Sequence, residues 1–240
     1  MLITYPDKRY GIFLCFKPHL FKTLIEIKPL QNLKATVTVP GSKSYTNRAL
    51  LIAGLTDGEC RLEKPLVSDD TKYMIQALKA FGVPVREEEG AFIVSGKGGK
   101  LCAPDNDIFI GNAGTAMRFL TTFSTLAPGK VRLDGDERMH ERPLADLLDC
   151  LTQMGIHAVS VNNNGCPPID IKGGEVPGGD VQLHGDKSSQ YLTSILLSAP
   201  YFKNDTCVHI QGDLTSKSYA DITLDIMKTF GVHVENESYQ

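Results

Sequence analysis

The sequence predicts an α/β (α+β) domain made of three copies of one module, packed around buried helices. Two observations carry this. A helix end followed by a strand recurs at a period of roughly 75 residues, the mark of a repeat with helix and strand in every unit. Thus Leu78-Lys79-Ala80-Phe81-Gly82-Val83-Pro84-Val85 returns as Leu151-Thr152-Gln153-Met154-Gly155-Ile156-His157-Ala158, and again as Met227-Lys228-Thr229-Phe230-Gly231-Val232-His233-Val234. Each copy also opens on a polar turn backed by an apolar helix. The turns are Gly41-Ser42-Lys43-Ser44, Gly111-Asn112-Ala113-Gly114-Thr115 and Gly185-Asp186-Lys187-Ser188-Ser189-Gln190.

In chain order, residues 1–23 form an N-terminal extension of unknown role. Its one apolar run, Gly11–Phe16, is cut short by Lys17 and Pro18, well below the length of a membrane span, and no signal-cleavage pattern follows it. Leu24–Ile27 predicts a leading strand, and residues 24–34 cross into a domain over 35–240 with repeats of about 35–110, 111–184 and 185–240. Ala35–Val39 alternates and predicts a strand. Buried helices are expected over Ala49–Leu55, Ala116–Leu126 and Tyr191–Ala199. Amphipathic helices are expected over Asp70–Phe81, over Pro143–Met154 with Pro in the first turn, and over Tyr219–Phe230. Each of these ends at a glycine, where a left-handed cap meets no Cβ clash. Hairpins should close the first two copies, Val83–Arg86 with Ala91–Ser95, and Ala158–Val161 with Pro168–Ile171 across Asn162-Asn163-Asn164-Gly165. The third copy reaches Gln240 after one such strand, Val232–Val234, so the chain is expected to be part of a longer protein.

Composition sets limits on function. Apolar residues make up 42% and charged residues 22%, as in a globular protein, and the net charge of −3 offers no general attraction to nucleic acid or anionic membrane. An anion site must therefore be local, and Lys43, Arg48, Arg118, Arg138, Arg142 and Lys187 are its candidates. The cysteines (15, 60, 102, 150, 166 and 207) make no C-x-x-C pair and have no histidine cluster nearby, which argues against zinc and for reduced thiols in the cytoplasm.

The first turn joins a strand to a helix start, whose unpaired N–H groups and positive dipole end suit an anion; Lys43, Arg48 and the serine hydroxyls add charge and donors. No second glycine precedes Lys43, so a Walker-type nucleotide loop is disfavoured. In the second turn Gly111 and Gly114 let the backbone approach a ligand, Asn112 can donate or accept, and Thr115 can cap the helix. Arg138 and Arg142, on spacing alone, fit a solvated loop paired to Glu137 and Glu141. Ser188-Ser189-Gln190 and Ser216-Lys217-Ser218-Tyr219 resemble helix caps, Asp69-Asp70 favours a helix dipole, and no Ser-His-Asp triad is readable. By the symmetry of the repeat the three turns are expected to converge at one end.

Several motifs in register resemble the 5-enolpyruvylshikimate-3-phosphate synthase family: Pro40-Gly41-Ser42-Lys43-Ser44 with Asn47-Arg48, Ser68-Asp69-Asp70, Gly111–Arg118, Arg138–Pro143, Ser188-Ser189-Gln190, and Gly212-Asp213-Leu214 with Ser216-Lys217 and Tyr219. The resemblance covers about Leu24 to Gln240. It implies two similar domains of the enolpyruvyl transferase kind (an inside-out α/β barrel), each of three βαβαββ units. This chain resembles the N-terminal one, and the C-terminal domain, expected to lie outside this sequence, would be its partner. The implied reaction is transfer of the enolpyruvyl group of phosphoenolpyruvate to the 5-hydroxyl of shikimate 3-phosphate, in aromatic amino acid biosynthesis, with no cofactor and no metal. Glyphosate occupies the phosphoenolpyruvate site in that family.

Carried over by position, Lys43, Ser44, Arg48, Ser188, Ser189, Gln190, Ser216 and Tyr219 would hold shikimate 3-phosphate. Asn112, Gly114, Arg142 and Gln190 would meet phosphoenolpyruvate, with Lys43 facing it as well and Thr115 in the same turn. Lys43 and Arg142 are the catalytic candidates, offsetting charge. Phe119 departs from the proline common at that position, which bears on inhibitor sensitivity. The acid and base carboxylates belong to the other domain, so the chain alone is expected to bind shikimate 3-phosphate and to turn nothing over. Two alternatives stay open: UDP-N-acetylglucosamine enolpyruvyl transferase, against which Lys-Ser after Pro-Gly-Ser and the Ser-Ser-Gln turn argue, and a non-catalytic anion-binding module.

Overall fold

The computed structural model describes residues 34 and 36–239, in two compact units that divide between Val39 and Pro40. Residues 1–23 and the leading strand expected at Leu24–Ile27 lie outside the described residues. The strand expected at Ala35–Val39 does not form over 36–39. Alternation makes a strand only where a second strand supplies the ladder, and none of the described strands does so here.

The second unit contains the repeat. Its first copy holds α1 (Lys43–Leu55), β1 (Asp57–Leu62), α2 (Asp69–Ala80), β2 (Val85–Glu88) and β3 (Ala91–Lys97). The next holds β4 (Ile108–Phe109), α3 (Gly114–Phe123), β5 (Gly129–Asp134), α4 (Ala145–Gln153), β6 (His157–Ser160) and β7 (Ile169–Gly173). The last holds β8 (Gly179–His184), α5 (Ser189–Ser198), β9 (Thr206–Gln211) and α6 (Lys217–Thr229). Three sheets result, in the orders β1-β3-β2, β4-β5-β7-β6 and β8-β9. The β4–β5 and β8–β9 pairs are parallel and the others antiparallel. No helix among the described residues is long and apolar enough to cross a membrane.

Helices α1, α3 and α5 form the interior, where Leu50, Leu51, Ala116, Leu120 and Ile195 are fully or almost fully buried. Their side-chain contacts climb in register. Between α3 and α5, Thr115 meets Gln190, Arg118 meets Gln190 and Ser194, and Thr122 meets Ser194. Between α1 and α5, Arg48 meets Thr193 near the start, and Leu55 meets Tyr201 just beyond the end. Neighbours that pair start to start and end to end run in the same direction. The three helix N-termini therefore lie at one end of the domain, as the repeat predicts.

The glycine caps form as expected: Gly82, Gly155 and Gly231 have φ of 80°, 77° and 81°. They also shift the first hairpin. Val83 N–H closes the cap on the Leu78 carbonyl, so β2 starts at Val85, two residues later than the pattern suggests. Pro143 stands outside α4, whose N-cap is Leu144. Residues 232–234 form no strand. In the second copy β7 lies between β5 and β6, and among the described residues no strand takes that place beside β9.

Candidate anion-binding site

Four helix starts supply the backbone of the site. The N-caps of α1, α3 and α6 are Ser42, Ala113 and Ser216, and none of them makes a side-chain capping bond. Each start is therefore without a side-chain cap, with the helix dipole behind it, although Gly114 N–H donates to the Asn112 carbonyl and Tyr219 N–H to the Ser216 carbonyl. Ser188 does cap α5, its Oγ accepting from Gln190 N at 3.2 Å. α1 begins six residues earlier than its apolar run, so Lys43 and Ser44 lie in its first turn, one helical turn from Arg48.

Arg48 joins the helices. It is 1% exposed. Nε donates to Thr223 Oγ1 (2.8 Å), Nη1 to the Ser44 carbonyl (2.9 Å), and Nη2 to Thr193 Oγ1 (3.3 Å) and the Tyr219 carbonyl (3.1 Å). The guanidinium carbon lies 5.1 Å from the centre of the Phe119 ring. One residue thus touches α1, α3, α5 and α6, and no carboxylate among the described residues pairs with it. Burial pushes its pKa down to about 10. A desolvated cation without a counter-ion favours any anion that binds beside it.

A second cluster surrounds Gln190. Arg118 Nη1 donates to Gln190 Oε1 at 2.5 Å, which turns Gln190 Nε2 toward Thr115 Oγ1 at 3.3 Å. Arg118 also lies over the Tyr191 ring at 5.5 Å, and the Tyr191 hydroxyl donates to the Pro143 carbonyl at 2.7 Å. Thr115 is therefore a partner of Gln190 rather than the helix cap expected of it. Arg142 is half-buried, and its guanidinium rests against Gly114, where a Cβ would strike Nη1. It makes no ion pair with Glu137 or Glu141 among the described residues, so the solvated, internally paired loop expected from spacing does not form.

Around these lie Lys43, whose Nζ is 3.0 Å from Asp70 Oδ2, the exposed Asn112 and Ser216, buried Ser189, half-buried Ser44 and Ser188, and Tyr219, which is 44% exposed. Asp70 thus pairs across to α1 as well as standing in the first turn of α2. Ser216 has a φ of 58°, a left-handed conformation that costs energy in a residue other than glycine. Direct side-chain contacts join Arg48 to Thr193, Thr223 and Phe119, and Gln190 to Thr115 and Arg118. Thr193 and Thr223 were not among the sequence candidates for a ligand contact, whereas Arg118 was a candidate cation and here fixes Gln190. The assembly offers cations, hydroxyls and helix N-termini for a multiply charged anion, with Asp70 as the one carboxylate paired to a site residue among the described residues.

Comparison with known proteins gives a consistent family. The family described as EPSP synthase (3-phosphoshikimate 1-carboxyvinyltransferase) matches residues 27–240. A 3-phosphoshikimate 1-carboxyvinyltransferase of Marinomonas sp. is 43% identical over 218 residues, covering 90% of this chain and 51% of that one. One from Sulfurovum sp. is 44% identical over 219 residues, with the same coverages. The structure of an EPSP synthase from Acinetobacter baumannii superimposes with a TM-score of 0.76 at 26% identity, covering 85% of this chain and 45% of that chain. The chain spans about half the length of the curated relatives it matches.

Proposed function

This chain belongs to the EPSP synthase family, and on that premise we propose that it is the substrate-holding half of a 3-phosphoshikimate 1-carboxyvinyltransferase. Shikimate 3-phosphate would bind across the starts of α1, α5 and α6, held by Lys43, Ser44, Arg48, Ser188, Ser189, Gln190, Ser216 and Tyr219. Phosphoenolpyruvate would bind at the start of α3, against Asn112, Gly114, Thr115, Arg142 and Gln190. The observation that carries this is Arg48, a buried guanidinium with no carboxylate partner among the described residues, placed where four helices meet.

The chemistry suits such a site. Two polyanions must be held side by side, which requires cations and oriented N–H donors in place of water. The enol methylene takes a proton, the 5-hydroxyl of the shikimate ring adds to the adjacent carbon and gives up its proton, and the tetrahedral adduct expels phosphate as its new methyl group loses a proton to restore the enol double bond. Lys43 and Arg142 would offset charge as the phosphate leaves. The proton donor and acceptor would come from a C-terminal domain of the same enzyme, the partner in this reading. The reduced-thiol reading of the six cysteines goes with a cytoplasmic location.

The test is calorimetric titration of the purified chain with shikimate 3-phosphate, alongside a phosphate-release assay with both substrates. Saturable binding that Arg48→Ala abolishes, with no release until a C-terminal half is added, supports the proposal. Turnover by the chain alone would overturn the division of labour. Binding of UDP-N-acetylglucosamine in place of shikimate 3-phosphate would overturn the substrate.

A further inference from the structure

We propose that the outer face of the β8–β9 sheet is a zinc-class metal site formed by Asp180, Cys207 and His209. The parallel register sets Asp180 directly opposite Cys207, with His209 two residues further along β9. Val181 and Leu183 on β8 are buried, and Val208 and Ile210 on β9 pack against the core, so alternation turns all three candidate ligands outward. The carboxylate oxygen, sulfur and ring nitrogen lie within 4.8 Å of one another. His209 Nε2 is already 3.2 Å from Asp180 Oδ1.

The other copies show what this face holds otherwise. Matching Leu133-Asp134-Gly135 to Ile210-Gln211-Gly212 places Lys130 and Arg132 where the third copy has Cys207 and His209. Those two cations grip Asp170, Arg132 Nε at 2.6 Å and Lys130 Nζ at 2.8 Å. The first sheet likewise holds Arg86 between Glu59 and Glu88. In the third copy the acid, Asp180, comes from β8 on the other side of the matching strand, and a thiol and an imidazole stand in place of the fixed cations. Thiolate, imidazole and carboxylate together select zinc or a similar borderline-soft ion over magnesium or calcium.

Bond lengths of about 2.0–2.3 Å around a tetrahedral zinc place ligand atoms about 3.3–3.8 Å apart, so exposed side chains need move only on the order of an ångström to close the site. The fourth position would face solvent. The spacing rule that disfavours zinc looks for close Cys and His pairs within the chain, and does not reach ligands brought together across two strands.

The experiment is titration of the purified chain with cobalt(II), then displacement by zinc. A thiolate-to-cobalt charge-transfer band that saturates at one ion per chain is expected. Cys207→Ser should abolish it, His209→Ala and Asp180→Asn should weaken binding at least about tenfold (about 1.4 kcal/mol), and Cys102→Ser, at another exposed thiol, should leave it unchanged. Zinc should also slow alkylation of Cys207 in the wild-type chain. Absence of the band, its survival in Cys207→Ser, or its loss in Cys102→Ser would overturn the site.

Discussion

Replacing Arg48 by Met separates a ligand-binding cation from a structural one. Burial lowers the Arg48 pKa from 12.5 to about 10. At about 1.4 kcal/mol per pH unit, keeping it charged costs roughly 3 kcal/mol. Against this stand four donated hydrogen bonds and the contact with Phe119. The cost of losing a donor is mostly the desolvation of the acceptor left behind, and here the acceptors keep other partners. Thr193 and Thr223 hydroxyls lie 2.9 Å apart, and Thr223 still donates to the Tyr219 carbonyl at 2.9 Å. Arg48→Met, similar in length and apolar, should therefore change unfolding free energy by less than about 2 kcal/mol, as apolar replacement of buried charge often does. Affinity for shikimate 3-phosphate should fall at least about tenfold. Urea unfolding followed by circular dichroism, with calorimetric titration of the same samples, measures both. A loss of more than about 3 kcal/mol with affinity retained would make Arg48 a structural residue and refute the reasoning.

Three further outcomes are expected. Gly114→Ala puts a methyl against Arg142 Nη1; phosphoenolpyruvate binding in the presence of shikimate 3-phosphate should weaken about tenfold, while binding of shikimate 3-phosphate alone stays within a factor of two to three. Asp70→Asn removes the 3.0 Å partner of Lys43 from a pair that is 48% and 28% exposed; stability should change by less than about 1 kcal/mol, and calorimetry should show tighter binding of inorganic phosphate. The Arg132 side chain beside Asp170 holds that carboxyl at about 2, below its ordinary 3.8. A depressed carboxyl stabilises the fold above its unfolded pKa and loses that contribution as pH falls through the folded value. The stability gap between wild type and Asp170→Asn should thus be roughly 1–2 kcal/mol at pH 6, after allowance for solvent screening, and close between about pH 4 and pH 2.

Much of the architecture was legible because it repeats. The glycine-capped helix ends mark the copies, since only a left-handed residue closes the cap onto the Leu78 carbonyl and its counterparts, and three copies make each one easier to recognise. The motif residues were legible as a set, and the parallel course of α1, α3 and α5 follows from the symmetry. What was not legible depends on partners distant in sequence. Ala35–Val39 and Val232–Val234 alternate like strands, but a strand is defined by its neighbour. Arg142 resembles a solvated arginine until Gly114 is beside it. Gln190 resembles an ordinary first-turn residue until Arg118, from the preceding copy, fixes its amide. Cys207 and His209 carry no recognisable metal spacing because the third candidate ligand lies on another strand.

Backbone NMR of the chain titrated with shikimate 3-phosphate most directly tests convergence of three helix starts, α1 from the first copy and α5 and α6 from the third, on one ligand. The amides of Ser44, Gln190 and Tyr219, one from each of three helix starts, should shift along a single saturation curve with a common Kd, and Arg48→Met should weaken all three together. Independent curves for the three amides, or shifts confined to one turn, would show that the helix starts do not form one cradle.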